Sequence, residues 1–90
     1  MIIDQLSGEI PADLSKCPNL KRLIMEKNKF TGTIPSELGT LKHLDFFVTI
    51  DNELSGSMPT EVCNNVDSGT LKYLFTDCRD VSCSCCSDCT

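Results

Sequence analysis

Shifted against itself by 24 positions, this 90-residue chain superposes on itself without a gap. Leu6 falls on Phe30 and Leu54, Gly8 on Gly32 and Gly56, and Pro11 on Pro35 and Pro59. Ile10, Ile34 and Met58 precede the prolines, and Leu14, Leu38 and Val62 follow them. Leu20 meets Leu44, Leu23 meets Phe47, and Asp4, Asn28 and Asn52 share a column. Coincidence does not produce so many ungapped matches, so the chain must fold into something that recurs every 24 residues. A unit this short cannot cover its own apolar flank. Adjoining units must supply the core, and the chain must stack coil upon coil.

Within one unit, Leu23-Ile24-Met25 alternates inward, outward, inward, as a short strand does. Asn28 ends that strand. Its side-chain amide both donates and accepts, so stacked Asn residues would form a ladder with the backbones of adjoining coils. Gly32 permits a tight turn, and Ile34-Pro35 stops any helix and leads the chain along the back.

The segments LSGEIP, FTGTIPSELGTL and LSGSMP resemble the plant-type leucine-rich-repeat family, with its L-x-G-x-I-P signature and 24-residue period, over roughly residues 1–62. The resemblance implies an α/β solenoid: a right-handed leucine-rich-repeat superhelix, with a short parallel sheet on the concave face and helical or extended pieces behind. It also implies protein or peptide recognition, often in an extracellular receptor. Several positions depart from the pattern. Asp4 stands where Asn is expected, Met25 and Thr49 occupy a Leu column, and Cys17 replaces Leu in the column of Leu41. Thr49 places a hydroxyl in the core, so its coil is expected to be irregular. Cys17 is expected to be a buried free thiol.

Met1 falls in the column of Met25, so the first coil begins inside its strand, with Met1, Leu6, Ile10 and Leu14 expected on an open flank. The expectation is a carboxy-terminal piece of a longer repeat protein, with any signal peptide or anchor upstream. The amino end has neither the basic region nor the apolar run of a signal peptide, and no stretch approaches the roughly 20 apolar residues that span a bilayer.

After Val62 the period breaks, which divides the chain into repeats over 1–62 and a terminal strand with a Cys-rich cap over 63–90. Cys63-Asn64-Asn65-Val66-Asp67-Ser68-Gly69 reads as a polar turn. Leu71 and Leu74 then match Leu44 and Phe47 at an offset of 27, so three residues are inserted. Six of the seven cysteines (Cys63, Cys78, Cys83, Cys85, Cys86 and Cys89) lie in this last part. Two readings compete. In the first, disulfides staple a polar flap over the last coil, the best single bridge being Cys63 to Cys78, with Cys85 and Cys86 taking different partners. In the second, Cys83, Cys86 and Cys89, with C-x-x-C-x-x-C spacing, supply thiolates to a metal. The tail also resembles the carboxy termini of diatom leucine-rich-repeat proteins. That resemblance implies a secreted or membrane-tethered protein, with the tether upstream of the repeats.

The formal net charge of −5 argues against nucleic acid as a partner and against docking on an anionic membrane. No catalytic constellation emerges: His43 reads as a solvated surface residue, the glycines belong to turns, and no cofactor is implied. What remains is a surface. Arg22, Ile24 and Glu26, then Phe46, Val48 and Ile50, then Tyr73 and Phe75 with Asp77 beside them, point outward from successive strands as a candidate protein- or peptide-binding patch. A non-catalytic recognition module is therefore the first expectation. The alternatives are a structural end-piece that terminates a longer solenoid and a thiolate metal-binding tail. The expected setting is extracellular or at the cell surface, joined to the remainder of a longer chain.

Overall fold

A computed structural model describes residues 1–3 and 6–89, with Asp88 and Cys89 described through their backbone alone. The chain winds through successive coils, and each coil contributes one strand to each of two parallel sheets. The first three coils give β1 (Ser7–Glu9), β2 (Arg22–Ile24), β3 (Lys29–Gly32), β4 (Phe46–Val48), β5 (Glu53–Leu54) and β6 (Tyr73–Thr76), and the tail adds β7 (Asp88–Cys89). The larger sheet runs β2-β4-β6-β7 and the smaller β1-β3-β5. Leu23 stands opposite Phe47, and Phe47 opposite Leu74, at the spacings of 24 and 27 read from the sequence. The smaller sheet was not anticipated. It forms where the L-x-G segments of adjoining coils lie parallel, as with Gly8 beside Phe30 and Gly32 beside Leu54. Gly32 holds φ +78 there, a conformation that disfavours any side chain.

The inward columns meet between the sheets and the back of the coils. Leu23, Phe47 and Leu74 are wholly buried, as are Phe30, Leu38 and Leu41 to within 1%. The prolines open the back segments. Pro11 and Pro35 each precede a single 3-10 turn, Ala12–Lys16 and Ser36–Thr40. Pro59 instead precedes a true α-helix, α1 (Thr60–Asp67). This corrects the reading of residues 63–69 as a polar turn. The three inserted residues let the 3-10 turn lengthen into a helix. Val62 and Asn65 face inward on it. Gly69, at φ +86, terminates it, its N–H reaching the Val66 carbonyl. The turn-forming residues of the sequence are thus the end of a helix, and α1 continues the last repeat past Val62.

The Asn column works as expected. The Asn28 amide accepts from the Leu6 N–H at 2.8 Å and donates to the Ile3 and Glu26 carbonyls. Asn52 accepts from the Phe30 N–H and donates to the Met25, Thr49 and Ile50 carbonyls. Asp4, the third member of the column, lies outside the described residues. Thr49 does not disturb its coil: its hydroxyl donates to that of Thr76 at 2.8 Å, and both residues are 1% exposed.

The first coil departs from the expected register. Met1 does not occupy the place of Met25. Ile2 pairs with Ile24, two residues out of step, and Ile3 packs partly buried against the core. A slip of two keeps each residue on its own face of the strand, so the coil loses no apolar cover. Met1 and Leu6 are exposed, as anticipated, but Ile10 is 3% exposed and Leu14 half-buried. The second coil shelters them. Cys17, expected inside, is a free and exposed thiol at the end of the first 3-10 turn.

Candidate functional site

The outer face of the larger sheet carries the expected patch in two cross-strand rows. Register places Arg22, Phe46 and Tyr73 in one row and Ile24, Val48 and Phe75 in the next. Pairing of the strands brings the aromatic rings together. Phe46 stands 5.7 Å from Tyr73 and 6.0 Å from Phe75, both tilted. The Arg22 guanidinium lies 4.7 Å over the Phe46 ring. Tilted ring pairs at such distances contribute about 0.5–1.5 kcal/mol each beyond burial, and an exposed cation over a ring about 0.5–1 kcal/mol. These contacts hold the side chains of the row against one another. Tyr73 remains 51% exposed, while Phe46 and Phe75 are half-buried.

Not every expected residue offers surface. Val48, at 6% exposure, is covered by its own neighbours and serves the packing of the row. Glu26 and Ile50 lie past the strand ends, where Asn28 and Asn52 hold their carbonyls. Two neighbours escaped sequence reasoning. Asp45 joins Arg22, Phe46 and Tyr73 around a cleft of about 310 Å³. Its carbonyl accepts from both Lys72 and Tyr73, which pins it between coils. Its place one residue before an outward aromatic was the available signal. Ile2, 75% exposed, extends the second row beyond Ile24 through the shifted register, which the 24-residue columns hid.

The cysteines form a separate structure at the end of the chain. Cys63 on α1 is bonded to Cys85, not Cys78, and Cys83 to Cys86. The correction follows from the path of the tail. Cys78 leaves β6 on the sheet side of the coil, whereas Cys63 sits on the back. The tail then runs beside the third coil, Ser82 pairing with Ser57 and its carbonyl accepting from the Met58 N–H. Val81 thereby fills the column of Phe30 and Leu54 and is 1% exposed. Only after this does the chain reach the back, where Cys85 meets Cys63. Cys85 and Cys86 do take different partners. Cys78 is disulfide-bonded as well, and the Cys89 side chain lies outside the described residues. With Cys83 joined to Cys86, two of the three thiolates in the metal reading are consumed as a disulfide. Val81 was legible as a continuation of the repeat, since it stands 27 residues after Leu54.

Comparison with known proteins agrees with this geometry. The Leucine Rich Repeat family model matches residues 19–41, the central coil. A chain of the PEPR1–AtPEP1 crystal structure superposes over 88% of this chain with a TM-score of 0.75 and 33% identity. The chain is a leucine-rich-repeat protein of the plant type. A chain of the BIR3–SERK2 complex from Arabidopsis thaliana superposes over 89% with a TM-score of 0.74 and 30% identity. The plant peptide hormone receptor RGFR1, solved in complex with RGF2, does so over 88% with a TM-score of 0.69 and 26% identity. This leucine-rich-repeat chain spans 10%, 40% and 16% of the lengths of those three chains. A search of curated proteins finds no match. Among the described residues, no helix is long and apolar enough to cross a membrane.

Proposed function

We propose that this leucine-rich-repeat chain is a non-catalytic recognition module whose ligand, a protein or an extended peptide, lies across the outer face of the larger sheet. The observation that carries the reading is the preassembled row Arg22–Phe46–Tyr73, joined by Phe75 and bordered by Asp45. An apolar centre with a charged border is the anatomy of a protein-binding surface, and a row already held in place loses little side-chain freedom on binding. The coils curve as a right-handed superhelix with this sheet on the concave side. The chain forms the carboxy-terminal part of a receptor-like or secreted protein. An oxidising, extracellular setting agrees with the disulfides, since such bonds persist there.

The test uses a displayed peptide library selected against the whole chain. Selected peptides should bind the Phe46→Ser and Phe75→Asp variants at least about tenfold more weakly, a loss of roughly 1.4 kcal/mol or more. Circular dichroism should show both variants folded. Peptides that bind wild type and variants equally would remove the aromatic row from the site.

A specific observation favours a second role alongside the first. β7 lies against β6 and occupies the margin of the sheet where a further repeat would pair. The tail thus also serves as an end-piece that terminates the solenoid.

A further inference from the structure

The two disulfides on the back of the tail are not independent staples. Cys83 Sγ, bonded to Cys86, stands 4.0 Å from Cys85 Sγ, which is bonded to Cys63. That is close to van der Waals contact between sulfurs. All four cysteines are half-buried at the edge of the core. The Cys83–Cys86 bridge spans 3 positions and the Cys63–Cys85 bridge 22. Opening the short bridge releases no element of the fold, because the tail stays tied to α1 through Cys85. Opening the long one frees the tail from α1. The short bridge is therefore the one a small thiol opens at least cost to the structure.

We propose that these four cysteines form a thiol–disulfide relay, in which a small monothiol that attacks the short bridge ends by releasing the tail from α1. A thiolate of the glutathione class attacks Cys86 Sγ. A mixed disulfide forms on Cys86, and the Cys83–Cys86 bond breaks with its electron pair on Cys83. The Cys83 thiolate then attacks Cys85 Sγ. A Cys83–Cys85 bond forms, the Cys63–Cys85 bond breaks, and Cys63 leaves as a thiolate that takes a proton from water. A second monothiol resolves the mixed disulfide, giving Cys86 as a thiol and the oxidised dimer of the monothiol. The net change is one protein disulfide reduced, two monothiols oxidised and one bridge moved. Exchange of this kind requires the attacking sulfur to reach the disulfide, which the 4.0 Å approach provides. Afterwards the tail is no longer tied to α1 by a disulfide, while the backbone contacts of Ser82 with Gly56 and Met58, the buried Val81 and the pairing of β7 with β6 remain. The latch stays shut where thiols are scarce and opens where they are abundant.

The folded chain is incubated with glutathione, quenched with N-ethylmaleimide and digested with trypsin. Cleavage after Lys72 and Arg79 separates the Cys63 peptide from the tail peptide. The free Cys17 takes its label on a separate tryptic peptide; in chains carrying two further labels, the relay places them on Cys63 and on Cys86 of the tail, whereas direct reduction of the long bridge would label Cys63 and Cys85. Two labels on the tail, with Cys63 still cross-linked, would overturn it. A second arm uses the double variant Cys83→Ser with Cys86→Ser. Without the attacking sulfur, labelling of Cys63 at the same glutathione concentration should fall by roughly an order of magnitude. Undiminished labelling would mean that the long bridge is reduced directly, and the relay would be refuted.

Discussion

Single residues in this molecule matter according to what the next coil brings against them. Gly39 is the sharpest case. A Cβ built there would stand 2.4 Å from the Glu61 Cβ and 2.8 Å from its carbonyl carbon. No column of the repeat demands this glycine, since Ser15 precedes it by 24 residues. The demand arises only because α1 replaces a 3-10 turn in the following coil. Gly39→Ala should therefore cost about 1–3 kcal/mol, the usual range for overpacking, read as a lower urea midpoint at unchanged slope. The Thr49–Thr76 pair tests a different asymmetry. Thr49→Val alone strands the buried Thr76 hydroxyl and should cost about 1–3 kcal/mol. Thr49→Val with Thr76→Val removes both polar groups and should recover most of that loss in a double-mutant cycle. The Thr49 hydroxyl was legible in the sequence. Its partner was not, because Thr76 is matched to it only by the 27-residue offset.

At the scale of elements, the inserted residues and the staples explain most of what the repeat pattern concealed. The strands at Leu23, Phe47 and Leu74 and the Asn ladder followed from the columns, because a buried face and a satisfied backbone recur with the period. Helix α1 did not. Its Asn, Ser and Gly residues favour turns locally, yet Val62 and Asn65 pack inward and Gly69 closes its end. Gly69→Ala, at a φ of +86, should cost about 1 kcal/mol, checked by thermal unfolding. The pairing of cysteines was equally hidden, since it depends on which side of the coil the tail reaches last. Removing the Cys63–Cys85 bridge with paired Ser substitutions should cost about 3 kcal/mol by loop closure, against about 2 kcal/mol for Cys83–Cys86, measured as the two variants' unfolding free energies. Equal losses would show that strain rather than loop length governs these bridges.

For the whole molecule, stability is shared between neighbours rather than gathered in one centre. Coils flanked on both sides should open last. The Met25 and Thr49 amides, bonded to the Val48 and Phe75 carbonyls, should exchange with deuterium roughly 100-fold more slowly than that of Ile3 on the open flank. Uniform protection across the three amides would argue for a single cooperative unit.

The tail returns from Phe75 to Asp88, its neighbour in the sheet, in 13 residues, where earlier coils take 24 or 27. That shortened lap sets a direction of growth. A duplicated unit spliced among the early coils finds a matching groove above and below it. One appended beyond Thr76 meets a track already taken. Lengthening such a chain, by evolution or by an engineer, thus has to proceed upstream of this tail.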